Sequence, residues 1–200
     1  MSMTLNPRVQ HFLTFPFAFW DDFFTEDELK KIELYCSSLE VEESVIEQGV
    51  KDKSIRDSDI KMVFVNGENE WMFSKLLNIA SHMNAQFYNY DLNGFDHFQY
   101  TEYNGEGTQY RYHTDCVFGD NVSVDLLIPR KLSFSLILSD SSEYEGGEFE
   151  FMLSSGDPLI AEQKRGRIIT FPSYMLHRIA PLKSGKRRSI VFWAVGPKFK

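Results

Sequence analysis

Cysteine is scarce. The 200 residues hold two, Cys36 and Cys116, in no metal-binding spacing and too few for a disulfide framework. A reduced, cytoplasmic setting is the simplest expectation. Long apolar runs are missing as well. The aromatic stretch from Phe12 to Trp20 is interrupted by Thr14 and Pro16 and falls short of the ~20 residues that span a bilayer. No basic segment leads into an apolar run with a small-residue cleavage site, so a soluble, intracellular chain without membrane contact is expected. Positive charge is in deficit: 21 Lys plus Arg stand against 29 Asp plus Glu, a net charge of −8. That is a poor electrostatic footprint for nucleic acid. Histidine is limited to five positions, His11, His82, His97, His113 and His177, so a site needing two imidazoles has few to choose from.

What is present suits one domain over residues 1–200, large enough for a proper core. Residues 1–94 read as helical and strand support. Phe12 to Trp20 reads as an edge strand, since Pro16 cannot donate to a central ladder. A helix follows with Thr25 as N-cap, Glu28 completing a capping box and Phe24 and Leu29 placed for a hydrophobic staple. Leu29, Ile32, Tyr35, Cys36 and Leu39 form its buried stripe. Glu40 to Ile60 reads as loop and short edge strand, Lys61 to Val65 as a strand and Asn66-Gly67 as a turn. A second helix is expected from about Asn69 to Phe87, with Trp71, Leu76, Ile79, Ala80 and Met83 inward and His82 outside any site. From residue 95 to 197 the pattern becomes short strands separated by glycines, the mark of an antiparallel sandwich or barrel. Strands are placed at Phe95–Tyr103, Tyr110–His113, Leu132–Leu138, Glu148–Leu153, Arg167–Phe171, Leu176–Pro181 and Arg187–Val195. The fold class is therefore mainly β with flanking α-helices, the core a jelly roll or double-stranded β-helix.

The candidate chemistry starts at His113-Thr-Asp115. On an extended segment alternate side chains share a face, so His113 and Asp115 can converge on one atom while Thr114 points away. An isolated H-x-D is more often a surface pair or a hydrogen-bonded histidine. The later stretch shifts the balance: His177 is followed by Arg187 and, on the same face of an expected strand, Ser189. His113, Asp115 and His177 make a 2-His-1-carboxylate set, which fills one face of an octahedron and leaves open positions for oxygen chemistry. A zinc hydrolase can also use two histidines and a carboxylate, but it does not account for Arg187 and Ser189. Those two suit the anchor of a small diacid, because a guanidinium fork matches a carboxylate and a hydroxyl adds a donor. Arg188 faces the other way.

On these residues the sequence resembles the Fe(II)- and 2-oxoglutarate-dependent dioxygenases, in particular their prolyl 4-hydroxylase-like branch. The likeness covers about Phe98 to Trp193. It takes in the Tyr- and Gly-bearing run from Tyr100 to Tyr110 and the Gly-Gly-Glu entry at Gly146-Gly-Glu148. It implies His113, Asp115 and His177 as ligands of Fe(II), Arg187 and Ser189 as anchor of 2-oxoglutarate, dioxygen as second cosubstrate and ascorbate as a reductant. It further implies Tyr103 in the 2-oxoglutarate pocket, with Tyr100, Tyr110 and Tyr112 as competitors. A tyrosine that some relatives carry on the strand Leu132–Leu138 is absent here. Arg56-Asp-Ser58 is similar to an Arg-x-Ser stretch at the site mouth, and Arg56, Tyr110, Phe118 and Trp193 are candidate substrate contacts. The implied reaction is hydroxylation of a prolyl residue in a peptide or protein. The same chemistry on a free amino acid or small metabolite, nucleic-acid demethylation and a non-catalytic jelly-roll binding module stay open as alternatives.

Overall fold

The computed structural model describes residues 15–43, 52–116 and 128–198. In chain order these carry β1 (Ala18–Trp20), α1 (Glu26–Ser37), β2 (Glu42–Glu43), β3 (Arg56–Asp57), β4 (Asp59–Val63) and α2 (Glu70–Met83), which runs on into a π-helical turn at Asn84–Tyr88. Then come β5 (Gly94–Asn104), β6 (Gln109–His113), β7 (Arg130–Ile137), β8 (Tyr144–Gly146), β9 (Phe149–Met152), β10 (Pro158–Ala161), β11 (Ile168–Pro172), β12 (His177–Ile179) and β13 (Leu182–Val195).

Two antiparallel sheets face each other. The larger has the order β1-β11-β7-β13-β5-β4-β2, with β8 against the start of β13; the smaller is β10-β9-β12-β6-β3. This is the jelly-roll arrangement expected from the strand pattern. The N-terminal segment does more than support it, because β1 pairs with β11 and β3 with β6. Among the described residues no helix is long and apolar enough to cross a membrane.

Strict alternation on the central strands divides the larger sheet into two faces. Phe98 and Tyr100 on β5, Leu132, Phe134 and Leu136 on β7, and Ile190, Phe192 and Ala194 on β13 join Leu29, Ile32, Cys36, Leu76, Ile79 and Met83 of the two helices in one core. The opposite face carries Thr101, Tyr103, Ser135, Arg187, Ser189 and Trp193 and looks into a cavity between the sheets. A second cluster, including Ile137, Phe149, Phe151, Ile169, Phe171 and Ile179, closes the rest of that space.

The helix N-terminus is as the sequence implies. The Thr25 hydroxyl accepts from the Glu28 N–H, and the Glu28 carboxylate accepts from the Thr25 N–H at 2.8 Å. Elsewhere the boundaries move. The expected strand Lys61–Val65 is Asp59–Val63, leaving Phe64 and Val65 exposed, because the Asn69 side chain takes the Phe64 carbonyl at 2.8 Å and turns the chain toward α2. On α2 the buried stripe includes Met72 and Phe73, while Trp71 is only partly covered. Within the segment read as loop and short edge strand, Arg56–Asp57 and Glu42–Glu43 are short edge strands; two polar residues carry no alternation to fix their bounds. The first strand begins at Ala18, and residues 12–14 and 44–51 of the segments discussed above lie outside the described residues.

Candidate active site

His113 ends β6 and His177 opens β12, and the two are register partners across that pair of strands. Asp115 follows β6 by two residues, its backbone N–H held by the Ser173 carbonyl at 2.8 Å. The three side chains converge as the H-x-D alternation implies. Asp115 Oδ1 is 3.7 Å from His113 Nε2 and Oδ2 is 3.7 Å from His177 Nε2, with all candidate ligand atoms within 4.8 Å of one another.

The ring orientations follow from hydrogen bonding. His113 Nδ1 lies 2.8 Å from the Arg111 carbonyl, and His177 Nδ1 lies 2.8 Å from the Met175 carbonyl. A carbonyl only accepts, so each Nδ1 carries a proton and each Nε2 is turned to the space beside Asp115. Burial, followed by the neighbouring His177 ring, pushes the His113 pKa down to about 3, which keeps its imidazole neutral at neutral pH. Burial alone would raise the Asp115 pKa. The two imidazoles, the Ser133 hydroxyl donating to Oδ2 at 2.6 Å, and Trp193 outweigh it and hold the carboxyl below its ordinary range. The Trp193 indole N–H, which also lowers the Asp115 pKa, lies outside ordinary hydrogen-bond geometry. Ser133 is itself fixed by the Ser173 hydroxyl at 2.9 Å, both residues being fully buried. Two neutral imidazoles and one ionised carboxylate are the donor set that a divalent transition metal requires.

Arg187, on β13, is 1% exposed. Its Nε donates to Gln163 Oε1 at 2.6 Å and its Nη1 to Ser189 Oγ at 3.4 Å, while Nη2 is buried with no partner. No carboxylate pairs with it among the described residues, and burial draws its pKa down. Across the strands Tyr103 lies opposite Arg187, and Thr101, whose buried Oγ1 also lacks a partner, lies opposite Ser189. Burial raises the Tyr103 pKa against the pull of Arg56 and Arg187, so the phenol remains a proton donor. Of the competing tyrosines, Tyr100 faces the helix-side core, and Tyr112 donates to Glu150 at 2.7 Å. Tyr110 is stacked on the His113 ring at 3.5 Å between centroids. Arg188 points away from the cavity and pairs with Glu33 and Glu143.

His113, Asp115, His177, Arg187, Ser189, Tyr103 and Thr101 line one cavity of about 740 Å³, which also takes in the proposed substrate contacts Arg56, Tyr110 and Trp193. Arg56 is buried over the Tyr110 ring at 4.6 Å, its Nε donating to Ser58 Oγ at 3.1 Å. Trp193 is held under the Arg130 guanidinium at 3.9 Å, and Arg130 is paired with Asp96 at 2.7 Å. Phe118 lies outside the described residues. Sequence reasoning missed Thr101, Ser133, Ser173 and Gln163. A buried Ser at alternate positions of an otherwise apolar strand, as in Leu132-Ser-Phe-Ser-Leu136, was the one available signal.

Residues 98–195 match the family model described as "2OG-Fe(II) oxygenase superfamily". This stretch belongs to that superfamily. A PKHD-type hydroxylase of Parvibaculum lavamentivorans is 38% identical over 88 residues, 44% of this chain and 37% of that protein, so the match spans little more than a third of the relative's length. Among solved structures, a Pseudomonas putida prolyl-4-hydroxylase superposes with a TM-score of 0.71 at 19% identity, covering 91% of this chain and 93% of its own. A prolyl hydroxylase from Trichoplax adhaerens, in complex with a hypoxia inducible factor peptide fragment, gives 0.72 at 18% identity over 90% and 83%. At such identities the two structures share the fold of this chain. The facing sheets and the His-Asp-His cluster between them are in keeping with that superfamily, which uses Fe(II), 2-oxoglutarate and dioxygen.

Proposed function

We propose that this chain is an Fe(II)- and 2-oxoglutarate-dependent dioxygenase that hydroxylates a prolyl residue in a peptide or protein. The observation that carries the reading is Arg187. A fully buried guanidinium with an unbonded Nη2 and no carboxylate partner among the described residues opens into the cavity that holds His113, Asp115 and His177. A buried charge of this kind calls for a buried counter-charge.

His113, Asp115 and His177 would hold Fe(II), the Ser133 hydroxyl fixing the carboxylate. Arg187, Ser189 and Tyr103 would hold the far carboxylate of 2-oxoglutarate, and the free Thr101 hydroxyl would serve the same end. Together the metal and cosubstrate would supply reduction of dioxygen, with 2-oxoglutarate going to succinate and carbon dioxide and one oxygen atom entering a substrate C–H bond. The chain's own contribution is to orient and to keep out water: Phe149, Phe171, Ile179 and Val191 line the cavity beside the polar groups. Arg56, Tyr110 and Trp193 form the wall left for the substrate. The names of the PKHD-type relative and the two prolyl hydroxylase structures support the peptidyl-proline reading.

One observation favours a second substrate class. Arg56 is a second buried guanidinium in the cavity, and it forms no ion pair among the described residues. A free amino acid or small acid would bring the carboxylate that it can pair with.

The test is anaerobic titration with Fe(II) and 2-oxoglutarate, following the visible metal-to-ligand charge-transfer band, and then succinate release on addition of proline-containing peptides or free amino acids. A band, and succinate formation stimulated by peptides, is the expected result. Iron bound without a band would sink the dioxygenase reading. Stimulation by free amino acids alone would select the second class.

A further inference from the structure

We infer that Gln163 is a positioning residue for the Arg187 guanidinium, suited to the task by its neutrality: it aims the fork at the cavity without cancelling its charge. The inference rests on the assignment of Arg187 to a carboxylate of 2-oxoglutarate.

Gln163 follows β10 and lies behind Arg187, outside the cavity lining. Its amide is used at both ends. Oε1 accepts from Arg187 Nε at 2.6 Å, and Nε2 donates to the Gly147 carbonyl at 2.8 Å. Gly147 forms the floor here, at φ +63°, where a Cβ would come within 2.7 Å of Leu182 Cδ1 and 3.4 Å of Arg187 Cδ. The positive φ and the close approach to Leu182 are what call for glycine here, and the arginine lies at ordinary contact distance. Ser189 Oγ takes Nη1 at 3.4 Å, so two guanidinium nitrogens are directed by neutral acceptors and Nη2 is left over.

The choice of amide over carboxylate decides what the arginine can do. A glutamate at 163 would put an anion against Nε inside the protein, forming a buried pair that satisfies the charge before any ligand arrives. The ligand carboxylate would then compete with a side chain already in place. A methionine of similar length would leave Nε without its acceptor, yet the full charge would still face the cavity.

Both substitutions remove the amide donor to the Gly147 carbonyl, which makes them a matched pair. A residue that only braced that turn would cost the same in either variant. The experiment is calorimetric titration of the Mn(II)-loaded full chain with 2-oxoglutarate, for wild type, Gln163→Met and Gln163→Glu, with Mn(II) affinity measured in parallel. Expected are a loss of about 5-fold in Gln163→Met and about 30-fold or more in Gln163→Glu, the latter the low end for disturbing a buried charge contact. Mn(II) affinity should be unchanged in both. Equal losses in the two variants, or wild-type affinity in Gln163→Glu, overturn the inference. Should Gln163→Glu fail to fold, wild-type affinity in Gln163→Met overturns it alone. Absence of 2-oxoglutarate binding in wild type with Mn(II) bound overturns the cosubstrate assignment itself.

Discussion

A guanidinium buried to 1% exposure, with Nη2 unbonded, costs the ligand-free protein solvation that the carboxylate of the proposed cosubstrate would restore. Function and stability are thereby opposed at Arg187, and a substitution should separate them. Arg187→Leu keeps apolar bulk and removes the unpaired charge. It should raise the stability of the ligand-free protein by on the order of 1–4 kcal/mol in urea unfolding, while lowering 2-oxoglutarate affinity by about 100-fold or more. A variant that is destabilised yet binds 2-oxoglutarate normally would refute both halves. Ser133 gives a second prediction at this scale. Its 2.6 Å bond to Asp115 Oδ2 fixes the carboxylate, and supports of this kind are worth about 10–100-fold in metal affinity. Ser133→Ala should lose that much Co(II) affinity by absorption titration and keep its unfolding midpoint within a few degrees; unchanged affinity would show the bond to be incidental. The convergence of His113 with Asp115, and of Arg187 with Ser189, was legible in the sequence because each pair obeys a two-residue spacing on extended chain. Gln163 and Ser173 were not, since their partners lie 24 and 40 residues away and depend on how the sheets are stacked.

Among the elements, those with long alternating patterns were the legible ones. β5, β7 and β13 run 11, 8 and 14 residues, and their alternation already assigns which side chains meet the helices and which meet the cavity. β10 was missed, and β3 was expected only as a short edge strand without bounds, for a physical reason. β3 is two polar residues, and β10 leaves Pro158, Leu159 and Ile160 exposed, so neither has an inside and an outside to encode. Pairing order was not legible at all, because β1 joining β11, or β3 joining β6, is fixed by the closure of the whole sandwich. The α1 cap tests the separation of the helix layer from the site. Thr25→Ala removes both bonds of the Thr25 hydroxyl, leaving the Glu28 carboxylate on the Thr25 N–H, and should cost about 1 kcal/mol in chemical unfolding. Since α1 packs on the face of the large sheet turned away from the cavity, Co(II) and 2-oxoglutarate affinities should not move. A parallel loss of affinity would mean that the helix layer and the site are coupled.

Taken as a whole, the molecule places its titrating thiols and several phenols where burial keeps them protonated, and this sets how it should respond to alkali. Cys36, between α1 and the sheet, has its pKa raised by burial from the ordinary 9.0 to about 12, and burial likewise raises Tyr88 and Tyr100 in the same core. A group whose folded pKa lies above its unfolded value contributes stability that is complete below the unfolded pKa and is lost as pH rises toward the folded one. For Cys36 that window runs from about pH 9 to about 12. Below it the unfolding free energy should be insensitive to this thiol; inside it, the unfolded chain sheds a proton that the folded chain retains. By pH 10.5 the loss from Cys36 alone should be about 2 kcal/mol, and the tyrosines add to it with the same sign. Urea unfolding at pH 7.5 and 10.5 measures the total, and Cys36→Ala isolates the thiol: the difference between the two pH values should shrink by about 2 kcal/mol in the variant. An undiminished difference would place the alkaline loss in the phenols. Slow alkylation of both native cysteines at pH 8 would follow from the same cause, since burial also lifts Cys116, to about 11.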